Sequence, residues 1–139
     1  MQFIVLFLTI VALITISNAE IEGLSDQTKE SFANIRKTCL EVFTVPEETI
    51  DKANEGKFND RDEIFKCYTY CVMRKLSTMD DNGEIYYDPM MKYLPEDYKE
   101  PVKKMFQKCS CFIDVDLCTR AYNFFKCNAK KFPEYFFIV

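Results

Sequence analysis

Beyond residue 20, hydrophobic positions recur at steps of three and four, and strict alternation is scarce, so the chain reads as helices. Ser25 or Asp26 can cap a first helix reaching about Phe43, with an inward stripe of Phe32, Ile35, Cys39 and Val42/Phe43. Pro46 opens a short second helix, since Glu47 and Glu48 suit the positive end of a helix dipole, and Gly56 stops it. Asp60 or Asp62 opens a third that runs to about Leu76 and buries Ile64, Phe65, Tyr68, Cys71 and Val72. Asp80-Asp81-Asn82-Gly83 is a turn. Pro89 starts a brief fourth helix carrying Met90, Met91 and Leu94, which Pro95 closes. A fifth, from about Glu96 to Cys109, carries Val102, Met105 and Phe106, with Pro101 expected in its first turn. A sixth, from about Val115 to Lys130, carries Leu117, Ala121, Phe124 and Phe125. The pattern predicts an all-α domain of six helices without repeats or a dividing linker.

The first 19 residues follow a different pattern. Phe3 to Ile16 is an uncharged, nearly all-apolar run of 14 residues, which suits a signal h-region and is short for a membrane span. Ser17-Asn18-Ala19 places small residues where a signal peptidase needs them, although the preceding Met1-Gln2 carries no Lys or Arg. The expectation is a signal peptide over 1–19 and a secreted, extracellular domain over 20–139.

Charge and composition remove whole classes of chemistry. With 18 Lys+Arg against 22 Asp+Glu, the net charge is −4, and an acidic chain is a poor match for nucleic acid. The complete absence of His excludes Ser-His-Asp and Cys-His nucleophile systems and every zinc site that uses imidazole. Thr78 to Pro89 resembles the front of a calcium loop, but positions one and twelve lack their carboxylates. Acidic pairs such as Asp80/Asp81 and Glu47/Glu48 read as a turn and a helix start rather than a hydrolase dyad. No enzyme, metal or cofactor is expected.

Secretion makes the seven cysteines disulfide candidates, and an odd count leaves at least one over. With one of the seven set aside, 105 three-bridge arrangements remain open. Zinc held by Cys67/Cys71 and Cys109/Cys111 is disfavoured by the single-residue spacing of the second pair. Cys67 and Cys71 share one face of the third helix and are better placed to reach two neighbouring helices than each other. Cys118 and Cys127 are nine apart, about 900° of rotation, and face opposite sides of the sixth.

Setting Cys111 aside, the spacing is Cys39-x27-Cys67-x3-Cys71-x37-Cys109-x8-Cys118-x8-Cys127. This resembles the six-cysteine pattern of the insect odorant-binding proteins, pheromone-binding proteins included, over essentially the whole of 20–139; the x3 and the final x8 are its tightest elements. The resemblance implies a compact, disulfide-bridged six-helix bundle around an apolar cavity. It also implies the pairing Cys39–Cys71, Cys67–Cys118 and Cys109–Cys127, with Cys111 as a free thiol. Three such bridges, at about 3–4 kcal/mol each in the chain-entropy model, could offset the lost packing of a hollow core.

The function implied by the resemblance is a secreted carrier for odorants, pheromones or similar lipophiles. Its partners would be a small hydrophobic ligand and a membrane olfactory receptor, its state a monomer or weak homodimer. Tyr135 to Val139 is a run of five large residues that a soluble protein rarely leaves exposed. In many members of the family the corresponding segment folds back as a cavity wall, which makes Phe136, Phe137, Ile138 and Val139 the first pocket candidates and Tyr135 a hydroxyl at the rim. Met73, Met90, Met91, Met105, Phe112 and Phe124 form a second group, because thioethers adapt to ligand shape. Leu76 and Leu94 join them, although helical spacing fits a solid core equally well. Acid-triggered ligand release, known in some family members, would have to work here through carboxylates such as Glu134. The competing reading is a secreted disulfide-rich interaction protein whose apolar C-terminal segment docks on a partner, with Cys111 as an inter-chain link.

Overall fold

The computed structural model describes residues 21–113 and 115–139. The predicted signal peptide and its cleavage point lie outside the described residues.

Six helices follow the expected order, and their ends are set by side chains already visible in the sequence. Helix α1 spans Asp26–Val42, and its cap Ser25 accepts a hydrogen bond from the Thr28 amide at 3.1 Å. Helix α2, Glu47–Asn54, starts after Pro46 with two glutamates in its first turn. Helix α3, Glu63–Lys75, is capped by Asp62, whose carboxylate accepts from the Phe65 amide at 2.9 Å. Helix α4, Asp88–Met91, is a single turn containing Pro89. Helix α5 spans Glu96–Cys109 and α6 spans Leu117–Lys131. Between α3 and α4, Asp80 accepts from the amides of Asn82 and Glu84, both at 2.9 Å, and Gly83 takes φ +81°, which closes the anticipated turn.

Several details differ from the sequence reading. Asp116, rather than Val115, heads α6, because its carboxylate can satisfy the Thr119 amide. Pro101 falls in the second turn of α5 rather than the first, since Pro95 occupies the cap position. Leu94 lies beyond the end of α4. Val42 and Ile64, placed on buried stripes, are 65% and 56% exposed. Both sit at helix ends, and the buried face of α3 is centred instead on Phe65, Tyr68, Thr69, Val72 and Met73.

Helices α3 and α6 make the most extensive pair, with α1 laid on α3 and α5 on α6. Three disulfides follow the same contacts. Cys39–Cys71 ties α1 to α3, Cys67–Cys118 ties α3 to α6, and Cys109–Cys127 ties α5 to α6. They span 32, 51 and 18 residues, so each constrains the unfolded chain substantially. Cys111 is free and exposed.

Candidate ligand cavity

The inward faces of these helices do not close completely. They surround an apolar cavity of about 40 Å³. Helix α3 and the turn after it supply Val72, Met73, Leu76 and Thr78, and Met90 enters from α4. Helices α5 and α6 supply Met105 and Phe106, and Phe124, Phe125 and Asn128. The remaining wall is the segment Tyr135–Val139.

That segment has no regular secondary structure, so its main-chain groups need partners from elsewhere. Asn54 of α2 provides two: its Nδ2 donates to the Ile138 carbonyl at 3.1 Å, and its Oδ1 accepts from the Ile138 amide at 2.7 Å. Tyr68 of α3 donates its hydroxyl proton to the Val139 main-chain oxygen at 2.5 Å. Burial pushes the Tyr68 phenol up to about 12, against the opposing pull of Arg36, so the hydroxyl keeps the proton it donates. The side chains then key into the bundle. Phe136 sits against Phe58 and Phe125 with ring centroids 6.1 and 6.3 Å apart, and Phe137 against Phe32 at 5.5 Å. Tyr135 meets Tyr98 edge-on at 5.8 Å.

Of the residues singled out in the sequence, Met73, Leu76, Met90, Met105, Phe124 and the five residues Tyr135–Val139 are brought to one cavity. Met91, Leu94 and Phe112 are outside its lining. Met91 and Leu94 pack into the core at and beyond the end of α4, and Phe112 is half-buried in the stretch between α5 and α6, where Ile113 and Val115 are exposed. Glu134 is exposed and likewise outside the lining. Sequence reasoning missed Val72, Thr78, Phe106, Phe125 and Asn128. The position of Asn128, four residues after Phe124, was a usable signal, because it puts an amide on the inward face of α6.

About 40 Å³ accommodates a water-sized molecule, whereas pockets for drug-sized ligands run to several hundred. A shallower groove on α1, between Arg36, Lys37, Glu41 and Glu47, is open and charged, unlike this cavity.

Among the described residues, no helix is long and apolar enough to cross a membrane. A sequence model of the PBP/GOBP family matches residues 22–131. General odorant-binding protein 56a of Drosophila melanogaster is 29% identical over 115 residues, which cover 81% of this chain and 82% of that protein. General odorant-binding protein 69a of the same fly is 24% identical over 93 residues, 67% of this chain and 63% of its relative. Odorant binding protein 4 of Chrysopa pallens superposes with a TM-score of 0.73 at 30% identity, covering 84% of this chain and 99% of that structure. A family model that matches most of the chain, together with these relatives, shows that the chain belongs to the PBP/GOBP family, the odorant-binding proteins of insects.

Proposed function

We propose that this protein is a secreted carrier that takes up small hydrophobic molecules into the cavity behind Tyr135–Val139 and transports them through aqueous fluid without chemical change. Family membership and fold support binding of small hydrophobic ligands. The observation that carries the reading for this chain is the apolar cavity closed by its own C-terminal segment. A lipophile of eight or more carbons exceeds the space present, so uptake involves outward movement of that segment or repacking of Met73, Met90 and Met105 around the guest. Affinity then comes from apolar burial at about 25 cal/mol per Å², less the cost of opening. Delivery to a membrane olfactory receptor and a monomeric or weakly dimeric state belong to the same proposal.

The reading as an interaction protein loses much of its motive. Phe136, Ile138 and Val139 are buried in this chain's own fold and are not free to dock elsewhere.

The test is titration of the oxidised chain over residues 20–139 with N-phenyl-1-naphthylamine, beside a variant lacking residues 135–139. Saturable one-to-one binding at micromolar or lower concentration, displaced by small lipophiles and altered by the deletion, is the expected result. No binding by a well-folded, fully oxidised protein would overturn it.

A further inference from the structure

The cavity wall is apolar with two buried polar exceptions, Thr78 and Asn128, which are 1% and 2% exposed. The Thr78 hydroxyl donates to the Met73 carbonyl at 3.2 Å, so its proton is committed and its lone pairs are what remain. Asn128 Oδ1 is buried and has no hydrogen-bond partner among the described residues. Leaving a buried carbonyl oxygen unpaired is expensive, and evolution can remove such a group at little cost by placing Leu there. No charged side chain lines the cavity, so a carboxylate head would be buried without a counter-charge.

We propose that Asn128 is the polar anchor of the cavity and selects neutral lipophiles that carry a hydroxyl, alcohols or phenols, whose O–H donates to its Oδ1. This rests on the carrier reading and names the class of ligand. A hydrocarbon leaves Oδ1 unpaired. An ester, an ether or an aldehyde has no proton to give the oxygen. A hydroxyl has one, and its donation would satisfy the buried acceptor. Discrimination by a buried group that an analogue leaves unpaired is larger than discrimination by shape, because the wrong ligand forfeits the bond and keeps the desolvation penalty.

The experiment compares 1-octanol with 1-methoxyheptane, which has the same number of heavy atoms but no donor. Each displaces N-phenyl-1-naphthylamine from the wild-type chain and from Asn128→Leu. Wild type is expected to favour the alcohol by about tenfold, and the variant to lose that preference, each ratio being read against that protein's own affinity for the probe. An equal alcohol-to-ether ratio in the two proteins would overturn the assignment and leave the carrier reading standing. Failure of wild type to bind the probe at all would overturn both. The wild-type protein provides a second readout that does not depend on the variant folding: the side-chain carbonyl carbon of Asn128 should shift in NMR on adding 1-octanol and stay in place on adding the ether. A shift with both ligands, or with neither, would overturn the assignment.

Discussion

The Tyr68 hydroxyl and the Val139 main-chain oxygen, 71 residues apart in the chain, meet in a buried hydrogen bond of 2.5 Å. One residue earlier, Ile138 is held at both its amide and its carbonyl by Asn54, which lies 84 residues before it. The segment that closes the cavity is therefore latched by two neutral side chains on two different helices.

Removing either latch should loosen the segment before it unfolds the bundle. Tyr68→Phe deletes the donor and leaves a buried main-chain oxygen unpaired, and it is expected to cost about 1–2 kcal/mol in urea denaturation. Asn54→Ala removes two bonds at a half-buried site and is expected to cost about as much. In both variants limited chymotryptic proteolysis should cut at Tyr135, Phe136 or Phe137 faster than in wild type. Unchanged cleavage in both would show that side-chain burial alone holds the segment.

The pH dependence follows from the same groups. The Tyr68 phenol titrates near 10.0 when exposed and is pushed up to about 12 by burial. The unfolded chain therefore gives up its proton first, and its stabilising contribution is complete below pH 10 and lost as pH rises toward 12. Tyr122 moves in the same direction, through burial and its hydrogen bond to Asp60. On the acid side, hydrogen bonds from Lys126 and Tyr122 hold the Asp60 carboxyl below its ordinary 3.8, so that contribution is present above this value and fades as pH falls beneath it. With no imidazole in the chain, stability should be flat between pH 5 and 8. Urea midpoints from pH 3 to 12 check this, and Tyr68→Phe should blunt the alkaline fall. Glu134→Gln should leave probe binding unchanged from pH 5 to 8.

Two backbone positions should respond in opposite directions. After α3, the Ser77 amide bonds to the Arg74 carbonyl and the Thr78 amide to the Met73 carbonyl, at 3.0 and 2.9 Å, which is a Schellman ending. Its left-handed position, φ 59°, is filled by Ser77 where Gly is the usual choice. Ser77→Gly should stabilise by about 0.5–1 kcal/mol. Gly83 also has positive φ, and a Cβ there would lie 2.1 Å from an Arg120 guanidinium nitrogen and 2.8 Å from a Leu117 methyl. Gly83→Ala should destabilise by more than 1 kcal/mol, because the same guanidinium holds the Asn82 and Ile113 carbonyls and cannot retreat freely. Thermal melts of the two variants in one buffer decide both.

The exposed Cys111 predicts a simple stoichiometry. One thiol per folded chain should react with a colorimetric disulfide reagent, and none in Cys111→Ser. Any disulfide-linked dimer on a non-reducing gel should vanish in that variant. A second reactive thiol in the native protein would mean that one of the three bridges is incomplete.

Local chemistry announced most of the helices. Ser25 and Asp62 can each satisfy free amides at the start of a helix, and Gly56 and Gly83 punctuate the chain where a turn needs positive φ. Helical spacing likewise marked Met73, Met105 and Phe124 as inward-facing, because a face repeats every three or four residues whatever lies opposite it. Whether an inward residue meets another side chain or open space is not a local property. Leu94 is as well buried as Met90, yet only Met90 reaches the cavity. That difference depends on where α5, α6 and the C-terminal segment come to rest. Their placement depends on bridges and hydrogen bonds between residues far apart in the chain, including Cys67–Cys118, Asn54–Ile138 and Tyr68–Val139. Asn128 shows the same limit: its spacing put an amide on the inner face of α6, but only the assembled bundle left its buried oxygen without a partner, in the wall of a cavity lined mainly by apolar side chains.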